Sequence, residues 1–413
     1  MPPKGTNLEQ TKAHNLRLVL SEILSGDEIS RADIAKRTGL TRQTISNLVE
    51  KLLEANFVTE GNYKKGGAGK PSRILQISST AAFSIGIRIE INKIAISLVD
   101  LSGNLMHSEQ VDATYSTDED VIRLIEPLCL DVLRDTKTDI RRVLGIGIIM
   151  AENDDRNHRH ATSDLITDPK NIAELLYKEL KIPTFLETAA AAAALAEFLQ
   201  GSARNFRNFI YLFIGPDLSA GLMVDGKIYG GRSARAGSIG HLVVNINGPI
   251  CTCGNPGCLN GYISLESLTT YLQKQDKIQR DPYDSFADIP PNDPRVISWL
   301  EQQAEYFRVG INSLENLYDP ETIILGGDCP DWFLEAVIRL SRPFMRSISE
   351  RGERDLPRVI KSPHADQMVQ KGAATLPIHA ALGEENAAYK SQAQFGVSYQ
   401  RLSELLGHYI NEK

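Results

Sequence analysis

Near residue 80 the spacing of apolar residues changes, and one layer of structure cannot satisfy both patterns. Leu16, Val19, Leu20, Ile23 and Leu24 recur at i, i+3, i+4, i+7 and i+8, as do Ile45, Leu48, Val49, Leu52 and Leu53. Each set is the stripe of a helix buried on one face. From Phe83, FSIGIRIEINKIAISLVDLSGNLMHSEQ alternates over two or three strands around a Ser-Gly-Asn turn. Helical VIRLIEPLCLDVLRD, strand VLGIGIIM, helical NIAELLYKEL and strand IPTFLE follow, then the alanine-rich helix ETAAAAAALAE. FIYLFIG and AGLMVDGKIYGG restart the series, and another helix and strand lead to ETIILGGD. A strand series that runs, lapses into helices and runs again predicts two α/β lobes with a ligand cleft between them. At 413 residues the chain has room for a small domain beside them. The expected divisions are 1–80 for that domain, 81–200 and 201–383 for the lobes, and 384–413 for a terminal helical segment of uncertain role.

Before the strands, SRADIAKRTGL offers Ser30 as an N-cap, Asp33 at the third helical position and Gly39 as a stop. After a short turn, Thr41 caps the helix TRQTISNLVEKLLEANF, whose polar side chains cluster at its front. Two helices joined in this way form a helix-turn-helix, the second sized for the major groove. FVTE and RILQIS then flank the basic loop GNYKKGGAGKPS as a hairpin would, which makes a wing. The predicted DNA-binding residues are Arg31, Thr41, Arg42, Gln43, Thr44, Ser46 and Asn47 on the helices, with Lys64, Lys65, Lys70 and Arg73 on the wing. A plain three-helix domain with a solvated loop would share each feature singly, and their order within about 65 residues is what favours the winged helix-turn-helix.

Charge agrees with that division. Residues 1–75 carry 12 Lys and Arg against 8 Asp and Glu, whereas the whole chain carries 45 against 52. A small anion-binding module joined to a larger acidic domain fits this asymmetry, and a protein that coats nucleic acid throughout does not. No apolar run approaches a membrane span, and the polar start MPPKGTNLEQTKAHN has no signal-peptide core, so a cytoplasmic protein is expected.

Three of the five cysteines, Cys251, Cys253 and Cys258, fall within eight positions of the stretch GHLVVNINGPICTCGNPGCLN, which also contains His241. Three thiolates and an imidazole complete a tetrahedral zinc shell with no open position, so the expected cofactor is a structural zinc ion. Buried free thiols are the alternative, for which a Gly-rich loop is poor material. Cys129 and Cys329 read as packing residues. His158 and His160 beside Asp154 and Asp155 read as a polar loop rather than a second metal site.

These motifs together resemble the ROK family of bacterial repressors and sugar kinases, over about residues 14–383. His241 followed by Cys251, Cys253, Gly254, Gly257 and Cys258 matches the family's zinc pattern, and GGAGKPSRIL matches the repressors' wing. The resemblance implies an actin- and hexokinase-like fold, a duplicated ribonuclease H-like architecture in two lobes, behind a winged helix-turn-helix. It also implies a homodimer or homotetramer acting on a double-stranded DNA operator under control of a small effector, such as a sugar or derivative.

The kinase elements depart from the family pattern one by one. Where kinases hold ATP phosphates on a glycine turn this chain has GIRIEINK, with Arg88, Glu90 and Ile91 at altered positions; the second phosphate loop is GPDLSAG, with Pro216, Asp217 and Ser219. The general base of the kinases falls at Ala189, next to Thr188, and an alanine cannot accept a proton. Two sugar-binding glutamates fall at Ser238 and Asn260, leaving His241 as the sugar-proximal residue retained. Thr188, Ala189, Ser238, His241 and Asn260 are therefore the implied effector-pocket residues, and no kinase activity is expected. A regulator controlled by a protein partner and a sugar kinase with a DNA-binding arm are the competing readings.

Overall fold

The computed structural model describes residues 8–26, 28–64, 72–90, 92–150, 168–282, 286–348, 356–382 and 393–411. It opens with three helices, α1 (Leu8–Ser25), α2 (Arg31–Thr38) and α3 (Arg42–Glu54), followed by strands β1 (Val58–Tyr63) and β2 (Arg73–Ile77). Local chemistry sets each boundary. Ser30 and Asp33 close a reciprocal capping box on α2, and Gly39 ends the helix in the left-handed region at φ 70°. Thr41 caps α3 by accepting the Thr44 N–H at 3.1 Å. This helix stops at Glu54, three residues short of the predicted end. Asn56 turns left-handed at φ 58°, its N–H donates to the Leu53 carbonyl, and the Phe57 N–H donates to the Leu52 carbonyl. That Schellman closure turns the Phe57 ring into the core.

Strands β3 (Phe83–Glu90), β4 (Lys93–Asp100) and β5 (Leu105–Asp112) form an antiparallel meander. Then come α4 (Asp118–Asp135), β6 (Val143–Met150), α5 (Pro169–Leu180), β7 (Thr184–Glu187) and α6 (Ala189–Gln200). A second meander, β8 (Phe209–Ile214), β9 (Leu218–Val224) and β10 (Lys227–Ile228), leads into α7 (Asn260–Ile263), α8 (Leu265–Asp276) and α9 (Pro294–Tyr318). The chain closes with β11 (Thr322–Gly327), α10 (Asp331–Leu340), β12 (Val359–Lys361), α11 (Ala365–Leu382), β13 (Ala393–Phe395) and α12 (Ser398–Asn411).

The two large sheets share one plan. Their orders are β13-β7-β6-β3-β4-β5 and β10-β9-β8-β11-β12. With β13 set aside, each has a three-stranded meander whose first strand is innermost and two later strands added beside it. β6 and β7 run parallel, as do β8, β11 and β12. This is the duplicated α/β architecture expected from the restarting strand series. β13 was not expected; it adds antiparallel to β7 at the sheet edge.

By contacts the chain divides into two compact units. One comprises Met1–Ile149, Leu165–Glu187 and Ala373–Lys413, the other Met150–Asp164 and Thr188–Gly372. In the first unit the winged helix and the sheet share a core. Leu20, Ile45, Leu48 and Leu52 of α1 and α3 cluster with Leu144 of β6, Ile378 of α11, and Leu402 and Leu406 of α12. Backbone packs on backbone here, since a Cβ at Gly147 of β6 would lie 1.9 Å from the Ala373 carbonyl oxygen of α11. The second unit repeats the device, because a Cβ at Gly221 of β9 would lie 2.2 Å from the Ala190 carbonyl oxygen of α6. Ala190 to Ala194 and Ala196 of α6 are buried, and their small side chains let this helix sit near the sheet.

The terminal helix therefore belongs to the core that holds the winged helix. Leu402→Ala, at a fully buried position, is expected to cost roughly 2–4 kcal/mol of the first unit's stability, measured by chemical denaturation with far-UV circular dichroism.

Candidate functional site

The front of α3 presents the polar side chains placed there by its apolar stripe. Ile45, Leu48, Val49 and Leu52 are buried, which leaves Thr41, Arg42, Gln43 and Asn47 exposed and Thr44 and Ser46 half-buried. Gln43 donates from Nε2 to Asn47 Oδ1 at 3.0 Å, one turn along, and the Thr41 and Thr44 hydroxyls are 2.8 Å apart. Amides coupled in this way present one paired donor and acceptor surface, the chemistry that reads base edges.

Beside α3, β1 and β2 pair antiparallel, with Tyr63 opposite Arg73, and the Lys64 N–H donates to the Ser72 carbonyl at 2.9 Å. Lys65 and Lys70 lie outside the described residues, as do Ile91, Asp154, Asp155, His158 and His160. Arg31, Lys64 and Arg73 have partners that a linear reading does not reveal. Arg31 Nη1 donates to Glu60 Oε1 at 2.5 Å, and Arg73 Nε lies 3.5 Å from Glu60 Oε2 while its guanidinium stacks 5.3 Å above the Tyr63 ring. Lys64 Nζ donates to Asp33 Oδ2 at 2.8 Å. That bond, then the one from Ser30, lowers the Asp33 carboxyl to about 2.

In the second unit, His241, Cys251, Cys253 and Cys258 converge, their ligand atoms all within 4.8 Å of one another. His241 ends a short 3₁₀ turn, Ile239–His241, and the three thiols come from the loop that follows. Cys251 Sγ lies 3.6 Å from His241 Nδ1, and Cys253 Sγ lies 3.6 Å from Cys258 Sγ. The loop folds back on itself through bridges between Val243 and Cys258 and between Ile250 and Pro256. These four residues could hold a metal ion. Burial alone would raise the Cys253 thiol, but hydrogen bonds from Asn255 N–H and the Cys258 and Cys251 thiols bring it down to about 7. Burial, followed by those same thiol neighbours, pushes Cys258 up to about 12. Such a cluster favours losing protons in the presence of a cation.

The implied effector residues also lie in the second unit, arranged along β9. Ala189 is the first residue of α6, and the Thr188 hydroxyl caps that helix by accepting the Ala191 N–H at 3.1 Å. Glu197, at the other end of α6, is buried and accepts from the Ser362 hydroxyl at 2.5 Å and the Ser202 hydroxyl at 2.8 Å. The segment holding Ser238 and His241 lies against β9, where the Ala220 N–H donates to the Gly237 carbonyl at 2.8 Å. Ser238 Oγ donates to the Arg235 carbonyl at 3.0 Å. Asn260 accepts the Leu218 N–H at 2.7 Å and donates to Asp217 Oδ1 at 2.5 Å, bracing the β8–β9 turn. In the first unit, at the end of β3, Arg88 pairs with Glu90 at 2.8 Å.

Fold and sites together define a winged helix-turn-helix protein whose larger part is a duplicated α/β domain with a His-Cys cluster that could hold a metal ion. Residues 84–380 match the ROK family and residues 17–62 match the MarR family. The chain belongs to the ROK family. It is 28% identical over 320 residues to the xylose repressor of Bacillus spizizenii, covering 76% of this chain and 82% of that protein. A ROK family transcriptional regulator described as a homolog of the Escherichia coli MLC protein superposes with a TM-score of 0.71 at 22% identity, covering 96% of this chain and 99% of that one. A ROK family glucokinase from Streptomyces griseus superposes with a TM-score of 0.57 at 23% identity, covering 71% of this chain and 99% of its own. Repressors and kinases thus share the larger domain's fold. Among the described residues no helix is long and apolar enough to cross a membrane.

Two glycines of the ligand loop separate backbone strain from collision. Gly257 has φ 66° and a Cβ there would meet the Asn245 carbonyl oxygen at 1.5 Å, whereas Gly254 has φ 89° and open space. Gly254→Ala should cost about 1–2 kcal/mol, the left-handed penalty alone. Gly257→Ala should cost more than that and displace the loop, with thermal melting of the two variants giving the order.

Proposed function

We propose that this chain is a sugar-responsive transcriptional repressor without kinase activity, working in the cytoplasm as a homodimer or homotetramer on a double-stranded DNA operator. The observation that carries the reading is the exposed, polar front of α3, with Gln43 bonded to Asn47, in a winged helix whose core is continuous with the first sheet of the ROK fold. A helix presented in this manner enters a major groove, where Arg42, Gln43 and Asn47 offer bidentate partners for guanine and adenine. Thr41, Thr44 and Ser46 supply further hydrogen bonds there, and Arg31, Lys64, Lys65, Lys70 and Arg73 supply backbone contacts. The similarity to a protein named xylose repressor supports both the action and the carbohydrate class of effector.

Three features speak against phosphoryl transfer. Ala189 stands at the start of α6 where the family resemblance puts the general base, and a methyl group accepts no proton. The Arg88–Glu90 pair holds a carboxylate at the turn where ATP phosphates would be received. Asp217 brings another carboxylate to the second loop, held by Asn260. The segment around Thr188, Ala189, Ser238, His241 and Asn260 then serves to bind an effector. Ligand binding would change DNA affinity through its preference for one state of the protein.

The metal reading is structural zinc. A tetrahedral zinc ion with bonds of about 2.3 Å to sulfur and about 2.0–2.1 Å to nitrogen separates its ligand atoms by roughly 3.5–3.8 Å. The 3.6 Å pairs Cys251–His241 and Cys253–Cys258 fit that shell. His241, Cys251, Cys253 and Cys258 would hold the ion and cross-link the loop.

Binding to DNA from the operon that contains this gene, followed by fluorescence anisotropy, is the direct test. Gln43→Ala and Asn47→Ala should each weaken specific binding by about 1–3 kcal/mol and relax base preference at one position. A protein that binds its own upstream DNA no better than random DNA would refute the repressor reading, and turnover of ATP with any sugar would refute the non-enzymatic one. Elemental analysis should find one zinc per chain, reduced in Cys253→Ser.

A further inference from the structure

Two candidate phosphate-contacting arginines converge on one acid. Arg31 at the start of α2 and Arg73 on β2 both reach Glu60 on β1, on different carboxylate oxygens. Next to them Lys64 is held by Asp33, the third residue of α2 and the partner of Ser30 in its capping box. Three cations, from α2, from β2 and from the residue after β1, are therefore engaged by two carboxylates on the surface that the DNA-binding reading turns toward the duplex. The groups remain partly solvated, with side-chain exposures of 31% for Arg31, 24% for Glu60 and 47% for Arg73. Pairs of that kind hold side chains in place without contributing much stability, so an incoming phosphate can exchange for the carboxylate. Asp33, like any aspartate, is ionised at physiological pH, and the bonds from Lys64, then Ser30, lower its pKa further, to about 2. Only a competing anion, not a proton, would release Lys64 there.

Resting on the DNA-binding reading, we propose that Glu60, assisted by Asp33, is a built-in competitor of the DNA backbone that holds down the sequence-independent part of the affinity. Each cation that must leave a carboxylate to meet a phosphate contributes less to binding than a solvated cation would. The carboxylates also stand within a Debye length of the phosphates they exclude, and repel them. Occupancy then depends more on the base-edge contacts of α3. Glu60 is here a specificity-determining residue that touches no base.

The test uses the full-length protein and a random-sequence duplex, titrated with salt. Glu60→Gln and Glu60→Ala should bind this DNA about tenfold more tightly near 0.1 M salt. The slope of log K against log salt should steepen by about 1 to 2, because cations formerly paired now release DNA counterions. Unchanged or weaker binding with an unchanged slope, in variants that melt as the parent does, overturns the proposal alone. Failure of the parent protein to bind any duplex at low salt overturns the DNA-binding reading beneath it. Should Glu60 variants melt lower, a cycle with Arg73→Gln decides. That change should cost more DNA affinity in the Glu60→Gln background than in the parent, and equal costs overturn the proposal.

Discussion

Close approach of helix backbone to strand backbone is the constraint on which both halves of the large domain depend. In the first unit α11 lies on β3 and β6 at Gly86 and Gly147, and in the second α6 lies on β9 at Gly221 and meets Gly372 of α11 at Ala192. Any side chain at these glycines would meet backbone, which cannot turn aside as a flexible side chain does. The alanines of α6 are the other side of the same packing. They keep the helix near the sheet, with Glu197 anchored to Ser202 and Ser362 at its end. The run ETAAAAAALAE thus has a packing explanation that stands whatever chemistry the helix start carries.

A second constraint links α12 to α3. Leu402 and Leu406 enter the cluster that buries Leu48 and Leu52, so the back of α3 and α12 stabilise each other. Arg401 adds a polar anchor, donating to the Ile140 carbonyl at 2.7 Å. The winged helix is consequently part of one cooperative core with a sheet of the ROK domain, rather than a bead on a linker. Its outward face carries the opposite character: coupled amides on α3, and guanidinium and ammonium groups shared among the acids of α2 and β1.

Much of this was legible in the sequence where the cause is local. Ser30, Asp33, Gly39 and Thr41 mark helix ends because each satisfies backbone groups within four residues. The His241 and cysteine cluster was legible because its thiols lie within eight positions in a Gly-rich loop. The end of α3 differs from the helical pattern, which runs on to Phe57, because Asn56 takes the left-handed conformation of a Schellman closure. β13 was missed because three residues, AQF, hold no periodicity and become a strand only by pairing with β7. Asn260, inferred only as a pocket residue, also spends its amide on the β8–β9 turn across a sequence separation of 42.

What the sequence determined by itself was the order of elements, their caps, the cysteine cluster around Cys253 and the polar front of α3, because periodicity, capping and residue spacing act over short stretches of chain. Tertiary structure alone decided that Glu60 would face both Arg31 and Arg73, that Asp33 would hold Lys64 and that α12 would back α3. Those pairings join residues 13, 29 and 31 positions apart, or hundreds apart, and charge and apolar contact depend on distance in space. A basic stretch without acids in the sequence thereby became, once folded, a surface on which its described cations already have anions.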